Sequence, residues 1–314
     1  MNNQRKRASP RPAAQPVSEE EQAVVGKRVL LAGASGTIGT AIAVELKRRG
    51  YWVRGMTRNA SGVTADVDEI FVGDLLLPNT LDSAVKGVDL VISAAGAPPG
   101  FVGSRAGRYS FPGIDDVGNR ALLNAAFEAK VRRFAYVSVF GGRFMGMSEY
   151  IRAHESFVAA LKTSGMRYQV VRTTSVFDSF DGMLKKARKG KLRVIAGGSA
   201  LLNPIHRDDL AVAFVDAVEA REPEIDVGGP EVLTRREIAE LAIEAWGKEP
   251  KVSSLPLALA AYWSRLSMFR GGHNKFVSAV NTASANTDLV APETGGSLLT
   301  DYFAERVASW SVDD

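Results

Sequence analysis

Short apolar runs alternate with amphipathic stretches along most of this chain. Arg28–Ala32, Trp52–Met56, Glu69–Val72, Leu90–Ser93, Phe134–Val139, Tyr168–Arg172 and Leu192–Ile195 read as strands. Between them lie helical patterns at Ile38–Arg49, Thr80–Val85, Ile114–Ala129, Glu149–Ser164 and Gly182–Lys189. The strands are near-continuous apolar runs, as a sheet covered on both faces requires. The rhythm predicts an α/β fold with a doubly wound parallel sheet. Right-handed crossovers then put every strand's carboxyl end on one rim, where ligands collect.

After residue 197 the texture changes. Asp208–Glu219 and Thr234–Trp246 read as helices, with Thr234-Arg235-Arg236-Glu237 as a capping box. Asp208 or Asp209 is the expected cap of the first of them. Ile225–Gly228 reads as a short strand. Leu255–Phe269, a Gly271-Gly272 break and a helix near Tyr302–Trp310 follow. These pieces are too small and interrupted for an independent domain and read as a cap over the substrate end of the sheet. The expected division is a tail over 1–22, a core over 23–200 and a C-terminal cap over 201–314. The tail is rich in Pro, Ala, Gln and charge, and its lack of apolar periodicity predicts disorder. No apolar run follows its basic residues, so it does not read as a secretory signal.

Composition narrows the chemistry. The 314 residues are 46% hydrophobic and contain no cysteine, which excludes disulfides, thiolate metal sites and cysteine nucleophiles. That fits a reducing compartment, and a cytoplasmic location is expected. The net charge of +4 comes partly from Arg5, Lys6, Arg7 and Arg11, so it says little about the folded surface. No stretch offers the ~20 apolar residues of a bilayer span. Leu255–Phe269 is too short, contains Arg265, and reads as a pocket wall, core packing or a subunit contact. The histidines at 154, 206 and 273 are scattered, so no metal site is expected. The basic run from Lys185 to Lys191 reads as a solvated helix face, and nucleic acid is not an expected partner.

The decisive segment is Val29-Leu30-Leu31-Ala32-Gly33-Ala34-Ser35-Gly36-Thr37-Ile38-Gly39. An apolar strand runs into three glycines and then a helix. Gly33 permits the tight turn, Gly36 lets backbone approach a pyrophosphate, and Gly39 lets the helix pack on the sheet. Ser35, Thr37 and Ile38 complete the loop, whose amides and helix dipole favour an anion. The second strand ends Met56-Thr57-Arg58-Asn59, without the carboxylate that would bind the adenosine ribose of NAD. Arg58 can instead grip a 2′-phosphate, so NADP(H) is favoured over NAD(H). The plainer reading of Arg58 is a solvated loop arginine. Asp74 follows the third strand and is placed to bond the adenine amine, with Leu75 packing near the ring. Ala94, Ala95 and Gly96 follow the fourth, where small residues let backbone pass close to a ribose.

Together these segments resemble the atypical short-chain dehydrogenase/reductases, in particular the NmrA-like branch. Phe134-Ala135-Tyr136-Val137-Ser138, Asn203-Pro204-Ile205-His206-Arg207-Asp208-Asp209-Leu210-Ala211 and Asp226-Val227-Gly228-Gly229-Pro230 add to the match. The resemblance implies a Rossmann fold, NADP(H), and often reduction of a carbonyl or activated alkene. The branch spans enzymes and binding-only proteins. Typical members of the wider family use a Tyr and a Lys four residues later on one helix face, with a Ser at the end of the preceding strand. Here Tyr150 keeps its place, but the Lys position holds His154. Ser138 lies in the region of the family's Ser, although many relatives have it where this chain has Val139. Three readings stay open: Tyr150 and His154 as an acid/base pair assisted by Ser138, a reductase working by hydride positioning, or a cofactor-binding protein without turnover. His206, and the loop from Pro98 to Gly113 on the cofactor rim, are further candidates for substrate contact. An apolar small molecule is the expected substrate, and the sequence allows an oligomer.

Overall fold

The computed structural model describes residues 27–63, 65–97, 109–142, 148–267 and 284–312. The tail expected over 1–22, residues 98–108 of the rim loop, the Gly271-Gly272 break and His273 lie outside them.

The strands are β1 (Arg28–Ala32), β2 (Trp52–Thr57), β3 (Glu69–Val72), β4 (Leu90–Ser93), β5 (Arg133–Val139), β6 (Arg167–Thr173), β7 (Lys191–Ile195), β8 (Leu201–Leu202), β9 (Glu224–Val227), β10 (Leu233–Thr234) and β11 (Lys251–Leu255). The helices are α1 (Thr37–Arg48), α2 (Leu81–Ala84), α3 (Asn119–Glu128), α4 (Glu149–Thr163), α5 (Asp181–Ala187), α6 (Arg207–Ala220), α7 (Arg235–Glu244), α8 (Leu257–Ser267) and α9 (Leu299–Val312). A π-helical segment, Pro112–Gly118, leads directly into α3.

Seven parallel strands form the central sheet in the order β3-β2-β1-β4-β5-β6-β9. The order reverses between β1 and β4, which opens a crevice at their carboxyl ends. One face of the sheet packs on α3 and α4 through Leu30, Val91, Phe134, Tyr136, Leu122 and Phe157. The other packs on α1 and α6 through Leu31, Ile92, Ile42, Leu46, Leu210 and Phe214. Each fully buried Leu or Phe here contributes about 1.5–3 kcal/mol. A Phe214→Ala change would cost about 3–5 kcal/mol through the cavity left between α6 and the sheet. Glu45 faces inward on α1, and its carboxyl is held down to about 2, chiefly by the Arg48 hydrogen bond and also by Arg49.

Two strands sit elsewhere than the sequence pattern places them. Leu192–Ile195 was expected in the central run, but β7 pairs with β11 in a separate two-stranded parallel sheet. The reason is visible in Lys191-Leu192-Arg193-Val194-Ile195, whose alternation suits a half-exposed strand, whereas Leu90-Val91-Ile92-Ser93 is buried throughout. Conversely β9, expected within the cap, is the edge of the main sheet, and α6 before it covers the sheet beside α1. The expected division at residue 200 therefore cuts through the Rossmann layer. The elements expected as a cap share a third cluster with residues from the expected core, including Phe177, Leu184, Leu202, Ile238, Ile243, Leu299 and Phe303. The capping box at Thr234 and Glu237 is formed. For α6 the cap is His206, not Asp208 or Asp209: its Nδ1 accepts from the Asp208 amide. Asp209 instead accepts from the amides of Gly296 and Ser297.

Candidate functional site

β1 delivers the chain to the crevice and α1 carries it away. Gly33 sits at φ +85° and donates its amide to the Met56 carbonyl. A Cβ there would lie 2.8 Å from the Ala95 nitrogen, so the turn is pressed against the segment after β4. A Cβ at Gly39 would overlap the Gly33 carbonyl. Gly36 differs: its Cβ would meet only the Gly33 oxygen, at 3.3 Å. Packing demands the first and third glycines far more than the second, which leaves Gly36 for close approach by a ligand. Gly36 caps α1 without a side-chain hydrogen bond, and the first turn, beginning Thr37-Ile38-Gly39, holds no acidic residue. The helix end is thus left to an anion. Ser35 Oγ bonds Thr57 Oγ1 at 3.0 Å, tying the loop to the end of β2.

Beyond β2, the Arg58 guanidinium lies 5.4 Å from the centroid of the Tyr109 ring. The Tyr109 hydroxyl donates to Asp74 Oδ2 at 3.4 Å, while Asp74 Oδ1 accepts from the Leu76 amide at 2.9 Å. Arg58, Tyr109 and Asp74 thus form one group. Asp74 also serves its own turn, and Leu75 is buried toward Gly118. Ala94, Ala95 and Gly96 lie between Gly33 and the π-helical segment. Asn119 fixes them: its amide donates to the Ala95, Ile114 and Asp115 carbonyls, and its oxygen bonds Ser93 Oγ at 2.6 Å.

The other end of the crevice is built on α4 and β5. Tyr150, in the first turn of α4, packs edge-on against Phe111 at 5.0 Å and against His154 at 4.7 Å. His154 is 7% exposed and turned inward. Its Nδ1 lies 2.7 Å from the Tyr136 hydroxyl, and its Nε2 lies 3.4 Å from Asp115 Oδ1. With Tyr136 donating, Nε2 carries the ring proton and faces Asp115. Asp115 comes from the π-helical segment, is fully buried, and accepts from the Ala97 amide through Oδ2. Burial pushes its carboxyl up to about 7 and the His154 imidazole down to about 3. Burial, with Asp115 adding, also pushes the Tyr150 phenol upward. Ser138 is 1% exposed, its Oγ has no hydrogen-bond partner, and it follows Tyr136 on the same face of β5. The glycine cradle, the uncapped helix end, the Arg58 group and this orphaned hydroxyl fit a dinucleotide lying along the crevice.

The NAD(P)H-binding family model matches residues 33–221. The chain belongs to that NAD(P)H-binding family. It is 27% identical over 259 residues to the chloroplastic divinyl chlorophyllide a 8-vinyl-reductase of Arabidopsis thaliana, a match covering 74% of this chain and 60% of that protein. It is 25% identical over 248 residues to the photosystem II assembly factor Ycf39 of Guillardia theta, covering 77% of each. Among solved structures, the Citrobacter sp. triphenylmethane reductase complexed with NADP(H) superposes with a TM-score of 0.69 at 17% identity, covering 88% of this chain and 99% of that one. That last likeness shows the fold.

In this NAD(P)H-binding protein the residues missed in the sequence are Asp115, Tyr136, Asn119 and Tyr109. Asp115 and Asp116 fall inside the helical stretch expected over Ile114–Ala129, where nothing marks either for chemistry. Asp115 turns into the core, while Asp116 pairs with Arg120 and Ser156. Tyr136 reads as one more apolar strand position. His206 caps α6 and packs between Phe177 and Tyr302. No helix among the described residues is long and apolar enough to cross a membrane.

Proposed function

We propose that this protein is an NADPH-dependent reductase of an apolar small molecule whose conjugated carbonyl or alkene accepts a hydride without a strong acid at the moment of transfer. One observation carries the reading: the residue one helical turn beyond Tyr150 is a neutral histidine turned into the core. A lysine there would lower the Tyr150 pKa and reach the nicotinamide ribose. His154 does neither, so Tyr150 stays a phenol at neutral pH and serves as a hydrogen-bond donor. NADPH, when bound, supplies the hydride. Tyr150 and the Ser138 hydroxyl orient the accepting group, and the proton arrives afterwards from solvent. Such a site suits a quinone or enone, whose reduced form is a delocalised anion, better than an isolated ketone. The name of one relative, a vinyl-reductase, agrees with a conjugated acceptor. His154 becomes a positioning residue, holding Tyr150 edge-on from below.

The test is NADPH oxidation against a panel of quinones and enones. We expect turnover with at least one of them and a Tyr150→Phe variant within about tenfold of it. A loss of ~100-fold or more would return acid/base catalysis to Tyr150. A second reading, an NADPH-binding assembly factor without turnover, is favoured by the Ycf39 relative. It predicts that NADPH binds while no acceptor in the panel consumes it.

A further inference from the structure

At the opposite end of the sheet, β5 and β6 both begin with arginine. Arg133 and Arg167 are register partners. Arg221, the C-cap of α6, joins them around a cavity of about 320 Å³. Among the described residues, no carboxylate lies within 4.0 Å of any of the three guanidinium groups. Among the described residues, their one hydrogen bond goes from Arg133 Nη1 to the Val218 carbonyl at 2.9 Å. Burial, Arg221 and Arg167 all lower the Arg133 pKa, with Tyr51 and Asp89 only partly opposing them. Three cations therefore crowd one concavity, with Asp89 acting on Arg133 only from beyond ion-pair distance.

Two further features mark the cavity as built. Gln169 lines it, is 3% exposed, and leaves its Oε1 without a hydrogen-bond partner. That oxygen is an acceptor, so it calls for a donor such as a hydroxyl carried beside the phosphate rather than for the phosphate itself. Arg221 sits at φ +60°, in the left-handed region where a helix C-cap is ordinarily Gly or Asn. The chain holds a long cation there against backbone preference, in the short turn that brings the Pro223 carbonyl to accept from the Val170 amide. Met166, Tyr168 and Pro223 supply an apolar wall.

We propose that this cavity binds a small phosphate-bearing molecule, distinct from the dinucleotide, at the amino-terminal edge of β5 and β6. Planar guanidinium forks match phosphate oxygens two at a time, and three of them suit a multiply charged group better than a single carboxylate. The volume falls at the lower end of small-ligand sites. The strands are seven residues long, so the cavity lies about 20 Å from the cofactor crevice.

The experiment is a calorimetric titration of inorganic pyrophosphate into the full chain, with NADPH present at a concentration that fills the crevice. We expect one saturable site with a Kd below about 1 mM. It should weaken at least tenfold both in Arg167→Ala/Arg221→Ala and in the single Arg221→Glu, while NADPH affinity stays within about twofold. Both positions are exposed, and the glutamate variant tests charge with little demand on packing. No saturable binding to the NADPH-loaded wild type, or binding unchanged in either variant, would overturn the proposal. NADPH binding is read in the same samples, so failure at this cavity is told apart from failure of the crevice.

Discussion

The two ends of the cofactor crevice are made by different means. The end proposed for the phosphates is backbone: a strand, a left-handed turn at Gly33, and an uncapped helix start, all within twelve residues. The far end is side chains: Asp115, Tyr136, Tyr150 and His154 come from three elements and meet only in the folded core. At the first end a substitution acts through the space for a Cβ. At the second it acts through which group carries a proton.

The largest effects should separate the glycines. Gly33→Val forces a branched residue into positive φ and against Ala95, and we expect a loss of at least ~3 kcal/mol of stability in urea unfolding. Gly36→Ala has room in the fold, so stability should stay within ~1 kcal/mol. NADPH affinity should nonetheless fall at least ~100-fold, about 2.7 kcal/mol. Wild-type affinity in Gly36→Ala would remove the pyrophosphate from this loop and erase the contrast.

The buried pair at the far end makes stability depend on pH in opposing senses. Asp115 holds its proton up to about 7 in the folded state, so its contribution falls as pH rises from ~4 toward 7. His154 stays neutral down to about 3, so its contribution rises with pH from ~3 to 6.5. Between pH 4 and 6.5 the two slopes cancel. Asp115→Asn removes one of them, and unfolding at several pH values should then show stability rising across that window by up to ~1.4 kcal/mol per unit. An unchanged profile would mean that Asp115 titrates as it would in water.

Arg58→Ala should act on the phosphate end alone. We expect wild type to prefer NADPH over NADH at least tenfold by fluorescence titration, about 1.4 kcal/mol, and the variant to lose that preference with NADH affinity unchanged. Retained preference would leave Tyr109 and Asp74 as a turn structure and Arg58 as a solvated side chain.

The same contrast governs what could be read from the sequence. The glycine loop, β1 through β6 and the order of elements were legible because local signals make them: apolar runs, turn glycines, helical periodicity. Arg58 and Asp74 were singled out from their places after β2 and β3, and the fold brings them together around Tyr109. The inward turn of His154 was not, because nothing beside it in sequence records that Tyr136 and Asp115 wait behind it. A histidine on a helix reads alike whether it faces cofactor or core. Asp115 shares a helical face with Asn119 and Leu122, but nothing local records that His154 from another element meets it there. The edge strand β9 was seen but misplaced, since a four-residue strand does not specify its neighbour.

The smallest effect tests whether the far end holds substrate at all. Ser138 Oγ is buried without a partner, which costs stability unless a ligand completes it. Ser138→Ala deletes that hydroxyl while keeping the Cβ that packs beneath the rim. If it awaits the substrate oxygen, the variant should be as stable as wild type or up to ~1 kcal/mol more so, while kcat/KM for the best acceptor falls about tenfold. A hydroxyl with a purely structural role gives the opposite pair of signs, with lower stability and unchanged turnover. Only the first outcome keeps Ser138 at the hydride end, because an active-site group is the one kind of buried polar atom whose removal steadies the fold and slows the reaction together.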